Sequence, residues 1–316
     1  MANLCVSVIV PTKNRPTDLE RAVRSLCLQS VPACELIIID QSASNETGER
    51  IAALARESGL HVVSEWHPTL SGVSVARNRG MDLAKGDVIL FLDDDIEMEP
   101  EFIEQLLTTY EEYPEAVGVS GIFTNYRVPA AAFRAWSKCF VRGPFRDDRQ
   151  PLYSKAAELR KAQPLPVTRF TGALMSFRGC AVRDLRFDTA LHGVCDGEDV
   201  DFCLRLGDAF LVINPRARLA HYHSQSERLT DHWSRRALRA QWFLYLKHWN
   251  RGARNRLAAA WLLVGYVFVA MISGLSHFST APVKALVTGL NEGRAAARRA
   301  SWWSLAKGRR GLRNAE

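Results

Sequence analysis

Over its first 120 residues the chain alternates between two hydrophobic periods, and this alternation restricts it to very few folds. Short β-branched or apolar runs stand at 5–10 (CVSVIV), 35–40 (ELIIID), 60–66 (LHVVSEW), 87–92 (DVILFL) and 116–123 (AVGVSGIF). Amphipathic helix patterns fill the intervals at about 17–29, 46–58, 73–84 and 100–112. Strands that are apolar at nearly every position are covered on both faces, and a helix between successive strands makes them parallel. The pattern therefore predicts a doubly wound α/β fold with a mostly parallel sheet. Helix starts are marked by Thr17-Asp18-Leu19-Glu20, which has the form of a capping box, and by Pro100 with Glu101. Residues 124–166, with several Arg and Pro and no sustained period, read as a variable, loop-rich insertion. Pattern returns as a half-buried strand at 171–178 (TGALMSFR), a helix through 197–207 (GEDVDFCLRLG), short strands at 209–215 and 217–223, and a long helix over about 229–250.

In open sheets of this kind ligands bind beyond the carboxyl ends of the strands. Three strand ends carry suggestive residues: Pro11-Thr12-Lys13-Asn14, then Asp40, then Asp93-Asp94-Asp95 directly after VILFL. Three adjacent carboxylates repel one another, so a positive group is expected among them. Hard divalent cations such as Mg²⁺ or Mn²⁺ take one or two carboxylates together with substrate phosphates, and acids one and three of such a run provide that pair. A second acidic pair, Glu198 and Asp199, opens a helix, whose N-terminus favours negative charge.

The composition, 47% hydrophobic and 24% charged over 316 residues, excludes a wholly disordered chain and a polytopic membrane protein. Seven cysteines without a C-x-x-C pair, several of them (Cys5, Cys27, Cys180, Cys203) in apolar or helical patterns, predict a reduced, cytosolic protein. The net charge of +7 is concentrated late. Residues 235–256 hold seven Arg or Lys and no acid, and 294–313 hold seven more. Between these clusters, 257–275 is an uncharged and largely apolar run of 19 residues, just long enough to span a bilayer.

The stretches VSVIVPTKNRP, LIIIDQSASNE, GVSVARNRGMDLAKGDVILFLDDD, TGALMSFR and GEDVDFCLRLG, in this order, resemble the family 2 glycosyltransferases over roughly residues 5–225. The resemblance implies a GT-A fold, with a nucleotide-sugar-binding half at 1–123 and a variable insertion and acceptor half at 124–225; beyond it, charge and hydropathy mark 226–316 as a helical, basic and apolar region. It implies inverting transfer of a sugar from a nucleoside diphosphate, with a UDP- or dTDP-sugar favoured over GDP, to a saccharide or polyprenyl-lipid-linked acceptor. Pro11, Thr12, Asn14 and Arg15 are then expected to line the nucleotide pocket. Asp40 would accept a hydrogen bond from the base, and Arg77 and Asn78 would lie near the diphosphate and the aspartate triplet. Asp93 is expected near the ribose and the metal, and Asp95 on the metal, with Asp94 as the alternative. Asp199 would be the general base, with Glu198 supporting it or contacting the acceptor. His221 would complete the metal shell; His223, on the same face of an H-x-H strand, is the alternative ligand.

A cytosolic donor also constrains the apolar run. A simple span at 257–275 would export the second basic cluster, against the positive-inside rule. The sequence instead predicts a peripheral or monotopic protein on the cytoplasmic face of the plasma membrane, with an embedded or re-entrant helix and basic flanks on anionic lipid. The other arrangement is a helix buried against the catalytic domain or in a dimer. Two further functions fit less well. A nucleotidyltransferase would carry a Gly-rich basic loop after the first strand, where PTKNRP stands. A nucleic-acid-binding protein would place its cations beside the ligand-binding strand ends, whereas here they crowd the tail.

Overall fold

The structure, a computed structural model, describes residues 4–125, 130–145, 163–190, 197–223, 233–249, 252–276 and 279–300. Residues 126–129 and 146–162 of the 124–166 insertion, the start of the expected 229–250 helix and the basic stretch from 301 lie outside the described residues.

The expected alternation is present: β1 (Val6–Thr12), α1 (Pro16–Cys27), β2 (Glu35–Asp40), α2 (Glu46–Ser58), β3 (Val62–Trp66), α3 (Val73–Leu83) and β4 (Val88–Leu92). There follow β5 (Ile96–Met98), α4 (Phe102–Glu112), β6 (Gly118–Phe123), α5 (Ala131–Trp136), β7 (Leu165–Val167), β8 (Leu174–Arg178), α6 (Gly179–Val182), α7 (Glu198–Arg205) and β9 (Leu211–His221). The strands form one sheet in the order β3-β2-β1-β4-β8-β6-β9-β5, with β7 also paired to β9. Only the first half is parallel. Beyond β4, β8 runs antiparallel to both β4 and β6, while β9 is parallel to β6 and antiparallel to β5 and β7. The mostly parallel expectation thus holds for the nucleotide-side half and gives way to a mixed sheet in the other.

Alternate residues of the strands feed two cores, as doubly wound packing requires. Val8, Val10, Leu36, Ile38, Leu90 and Leu92 pack under α1, α2 and α4. Ile9, Ile37, Ile39, Ile89 and Phe91 face α3 and α7. A side chain at Gly80 would come within 2.4 Å of Ile9 Cγ2, so glycine there lets α3 lie directly on β1.

Several local expectations are corrected. The capping box does not form: α1 starts at Pro16 with no side-chain cap, and Glu20 instead pairs with Arg24 and Arg50. The strand at 171–178 is shorter, and Leu174 to Phe177 are fully buried because helices or loops cover both faces. The two short strands at 209–223 are one strand, β9, with an irregularity opposite β6 between Ser120 and Ile122 that absorbs Pro215. Cys5 and Cys34, expected as thiols, lead into adjacent parallel strands; their Cα atoms lie 5.6 Å apart and the structure joins them in a disulfide.

The C-terminal region adds a helical layer. α8 (Trp233–Leu244) runs on through a wider turn at Tyr245–Trp249, and α9 (Gly252–Ser276) and α10 (Ala281–Arg299) follow. The sequence reading missed α10. Its Gly289 and Gly293 sit against the α8 backbone: an added Cβ would meet Arg235 O at 2.5 Å and Arg239 O at 2.7 Å. Replacing Gly289 with Leu should therefore push the two helices apart. We expect a loss of roughly 1–3 kcal/mol, the usual cost of overpacking, read as a lowered urea midpoint; an unchanged midpoint would refute this contact.

Candidate active site

The strand ends, the start of α3 and the start of α7 converge on one polar centre. The triplet after β4 divides its carboxylates between two sides. Asp94, buried, accepts hydrogen bonds from Thr12 Oγ1 at 2.8 Å and Arg15 Nη1 at 3.1 Å. Burial pushes its carboxyl up to about 7, against the opposing pull of Arg15 and Thr12. Asp93 and Asp95 instead meet His221 at the end of β9. Nε2 of His221 lies 2.9 Å from Asp95 Oδ1 and 3.9 Å from Asp93 Oδ2, and one ligand atom from each of the three falls within 4.8 Å of the others.

His221 is fixed from behind. Its backbone N–H donates to Asn125 Oδ1 and its carbonyl accepts from Asn125 Nδ2, while the Phe123 ring lies 5.3 Å from the imidazole. Nε2 of His221 is a buried atom that faces the two carboxylates. An imidazole nitrogen set between two carboxylates is a donor set that a divalent cation such as Mn²⁺ accepts. The residues present therefore fit a divalent cation. His223, exposed with φ of 51°, stacks its ring 3.9 Å from that of His221 but is not among the three.

Arg77 joins this cluster to the second acidic pair. Expected beside the triplet, it does meet Asp93, from a position buried on the sheet side of α3. Its Nη1 donates to Glu198 Oε1 at 2.8 Å, and its Nη2 to Gly172 O at 2.8 Å and Asp93 Oδ1 at 3.2 Å. Burial opposes its charge, but Glu198 and Asp93 outweigh that and hold its pKa above the ordinary arginine value.

Glu198 and Asp199 occupy the first turn of α7. Asp199 Oδ2 accepts the Gly172 N–H at 2.7 Å, and Oδ1 accepts from Val200 N at 2.8 Å. Enclosure by protein raises both carboxyls above their usual range; for Glu198 the repulsion of Asp199 adds to it. Gly172, which the sequence reading did not single out, contacts both halves: its carbonyl binds Arg77 and its N–H binds Asp199. Its signal was the break before the strand in TGALMSFR.

The nucleotide-side residues are brought together less directly. Pro11 and Thr12 end β1 beside Ile39 and Asp40 of β2. Asn14, at φ 55°, ties the two loops: its N–H donates to Ser42 Oγ and its Oδ1 accepts from Ala43 N. Asp40 uses Oδ1 to accept from Ser42 N at 2.8 Å, whereas Oδ2 is buried without a partner. Asn78 is the one expected pocket residue engaged elsewhere, because its amide is bonded at both ends to the Phe187 backbone.

The sequence profile described as Glycosyl transferase family 2 matches residues 7–181, more than half of the chain. The protein belongs to that family. It is 30% identical over 228 residues to the pre-mycofactocin glycosyltransferase of Mycobacterium tuberculosis, a match covering 69% of this chain and 43% of that protein. It is 26% identical over 185 residues to the undecaprenyl-phosphate 4-deoxy-4-formamido-L-arabinose transferase of Pseudomonas fluorescens, covering 58% of this chain and 47% of that one. The matched stretches thus span less than half the length of these relatives. The fold resembles the Staphylococcus aureus TarS fragment 1–349 solved with UDP-GlcNAc, at a TM-score of 0.61 and 16% identity over 93% of this chain and 82% of that one. The architecture is the GT-A glycosyltransferase fold.

Arg77 makes a direct test of the centre. Arg77→Met would leave Glu198 buried, and the half-buried Asp93 beside it, without their cation, and we expect a loss of about 3–5 kcal/mol. Adding Glu198→Gln should recover part of it, because the neutral amide needs no counter-charge. A double variant no more stable than the single one, by urea unfolding, would show that the pair does not carry the cost.

Proposed function

We propose that this glycosyltransferase is a metal-dependent, inverting enzyme that moves a sugar from a nucleoside diphosphate sugar to a saccharide or lipid-linked acceptor. The observation that carries the reading is the junction at Arg77, which brings the Asp93–Asp95–His221 cluster and the Glu198–Asp199 pair into one site. Asp93, Asp95 and His221 would hold the cation, which when bound supplies electrostatic and Lewis-acid stabilisation of the departing diphosphate. Thr12, Asn14 and Arg15 border the donor side. The unpartnered Oδ2 of Asp40 is suited to accept an imide N–H from uracil or thymine, supporting a UDP- or dTDP-sugar.

Inversion requires one base that takes the acceptor hydroxyl's proton as its oxygen attacks the anomeric carbon from the face opposite the diphosphate. Asp199 is assigned that proton. Its orientation is set by the Gly172 and Val200 N–H groups, and its raised pKa moves it toward the working pH of a general base. Glu198 is occupied by Arg77 and serves as its support. Asp199→Asn should leave UDP binding in the presence of Mn²⁺ nearly unchanged and lower turnover by roughly 10²–10⁴-fold; Asp95→Ala should abolish the Mn²⁺ dependence of UDP binding. Titration calorimetry with UDP and turnover on a panel of UDP-, dTDP- and GDP-sugars decide both. Full turnover by Asp199→Asn would remove the base assignment, and chelator-resistant binding in Asp95→Ala would remove the metal.

The membrane reading rests on α9. Of its length, Gly252–Leu275 is apolar enough to cross a bilayer, with a mean hydropathy of 2.0. Ala258, Leu262, Tyr266 and Ala270 form a buried stripe, while Leu257, Val264, Phe268, Met271 and Leu275 are exposed on the other side. We infer that this exposed stripe embeds in the cytoplasmic leaflet, flanked by Arg254, Arg256 and Lys284. Each embedded side chain of this size contributes about 1.5–3 kcal/mol, against about 1 kcal/mol for each flanking cation near anionic lipid. Burial should dominate. Converting Val264, Phe268, Met271 and Leu275 together to Gln should therefore release the protein from phosphatidylglycerol vesicles, whereas high salt should release only part of the unmodified protein. Retention of the fourfold variant on vesicles would refute the inference.

A further inference from the structure

One buried ionic cluster lies outside the reaction centre, centred on Asp201, two residues beyond Asp199 on α7. Asp201, fully buried on α7, is approached by Arg205 Nε at 2.9 Å, Lys247 Nζ at 2.7 Å and His248 Nε2 at 2.8 Å. Arg205 belongs to the same helix. Lys247 and His248 come from the turn that ends α8, more than forty residues later in the chain. Lys247 is itself 2% exposed at its side chain and also bonds Asp188 Oδ2 at 2.6 Å, while the other Asp188 oxygen accepts from Ala190 N. Arg205 Nη2 donates to Arg186 O. Burial works against the charge of Asp201, yet His248, Arg205 and Lys247 hold its carboxyl below the usual range.

The packing around this cluster follows the same line. Gly197, at φ 101°, begins α7; a side chain there would meet Leu244 Cδ1 at 3.2 Å and Ala240 Cβ at 3.4 Å. Val200 and Leu204 pack on Phe243, Leu244, Tyr245 and Trp249. The outer face of α7 is thus seated on α8, and its inner face carries Glu198 and Asp199. A short helix of eight residues has little rigidity of its own, so its direction is set by what holds its two faces.

We propose that Lys247 and His248 are positioning residues: by clamping Asp201 they fix the angle of α7, and with it the carboxylate of Asp199, so that the C-terminal helical layer is part of the transfer site. Neither residue reaches the reacting atoms. The proposal rests on the reading of Asp199 as base only for its effect on turnover; the clamp on α7 stands on the contacts alone. It also gives the widened turn at Tyr245–Trp249 a purpose, since that turn presents Lys247 and His248 side by side to one carboxylate.

The test uses the full chain with Lys247→Met and His248→Leu, and with the milder Lys247→Arg and His248→Gln, which keep a donor toward Asp201. Hydrogen exchange on peptides covering 198–205 should be roughly tenfold faster in the first two, while β1 and β2 stay as protected as in the unmodified protein. Turnover on the nucleotide-sugar panel should fall roughly 10–100-fold, the scale of a misplaced catalytic group, with UDP and Mn²⁺ binding unchanged. The milder variants should recover most of both. Asp199→Asn, run beside them, should disturb at most the Val200 N–H that Asp199 accepts and leave the amides of 201–205 protected, so failure of the base assignment is visible separately from failure of the clamp. Unmodified exchange and turnover in Lys247→Met and His248→Leu would overturn the proposal. So would a parallel loss of UDP binding and turnover that the milder variants do not repair, because the cluster would then support the fold and not the base.

Discussion

The guanidinium of Arg77 is the group on which the site depends. A buried cation must be met by charge and by hydrogen bonds in the directions its flat fork allows. Arg77 meets Glu198 on one side, Asp93 on another and the Gly172 carbonyl between them. These partners come from α7, from the end of β4 and from the approach to β8, so one side chain fixes the relation of three separate chain segments. Gly80, three residues later on α3, allows the close seating on β1 that brings Arg77 to this depth. A lysine there would present one point charge and could not span the same three acceptors.

From that centre the rest of the carboxylates fall into place. In the turn that follows β4 the first and third carboxylates face His221, while the second faces Thr12 and Arg15. Repulsion within the triplet is relieved on one side by a cation of the protein's own and on the other by a site fit for a metal. Gly172 links the acceptor side to the same frame, because its carbonyl holds Arg77 and its N–H holds Asp199. Asp199, the proposed base, and the proposed metal ligands are therefore coupled through one peptide unit and one side chain.

The nucleotide-side half was legible because its signals are local. The runs at 35–40 and 46–58 coincide with β2 and α2, since a buried parallel strand and an amphipathic helix each declare themselves within a few residues. The approach of Asp93, Asp95 and His221 also agrees with what the resemblance implied. What escaped depends on distant partners. The resemblance places Arg77 beside the triplet, where Asp93 meets it, but not beside Glu198, 121 residues away in the chain. Asn78 reads as a pocket residue until Phe187 takes both ends of its amide. Cys5 reads as a separate small hydrophobe until the pairing of Ser7 with Glu35 sets its strand beside the one that Cys34 precedes. The helix α10 carried a weak pattern because part of its inner face is glycine, chosen for close approach to α8 and not for hydrophobicity.

The proposed in-plane setting of α9 follows from what the helix is tied to. Trp136 Nε1 donates to the carbonyl of Gly265, near the middle of α9, and the Tyr266 ring meets Trp136 edge-on at 5.2 Å. Leu262 and Tyr266 share a cluster with Leu238 and Leu286, from α8 and α10. If α9 crossed a bilayer with these contacts intact, the 137–142 segment, α8 and α10 would have to enter the hydrocarbon beside it. They carry Lys138, Lys284 and the Arg235–Glu292 pair, and each charge at the bilayer centre costs about 2.5–3.5 kcal/mol even on the lenient insertion scale. Crossing without them would strip the buried stripe from its partners and open the face of α8 that seats α7. Lying along the surface incurs neither cost: the exposed stripe meets lipid, the buried stripe keeps its protein contacts, and the charged helices stay in water. On that arrangement the transfer site and the membrane face belong to one rigid frame, which is the placement an acceptor carried on a lipid requires.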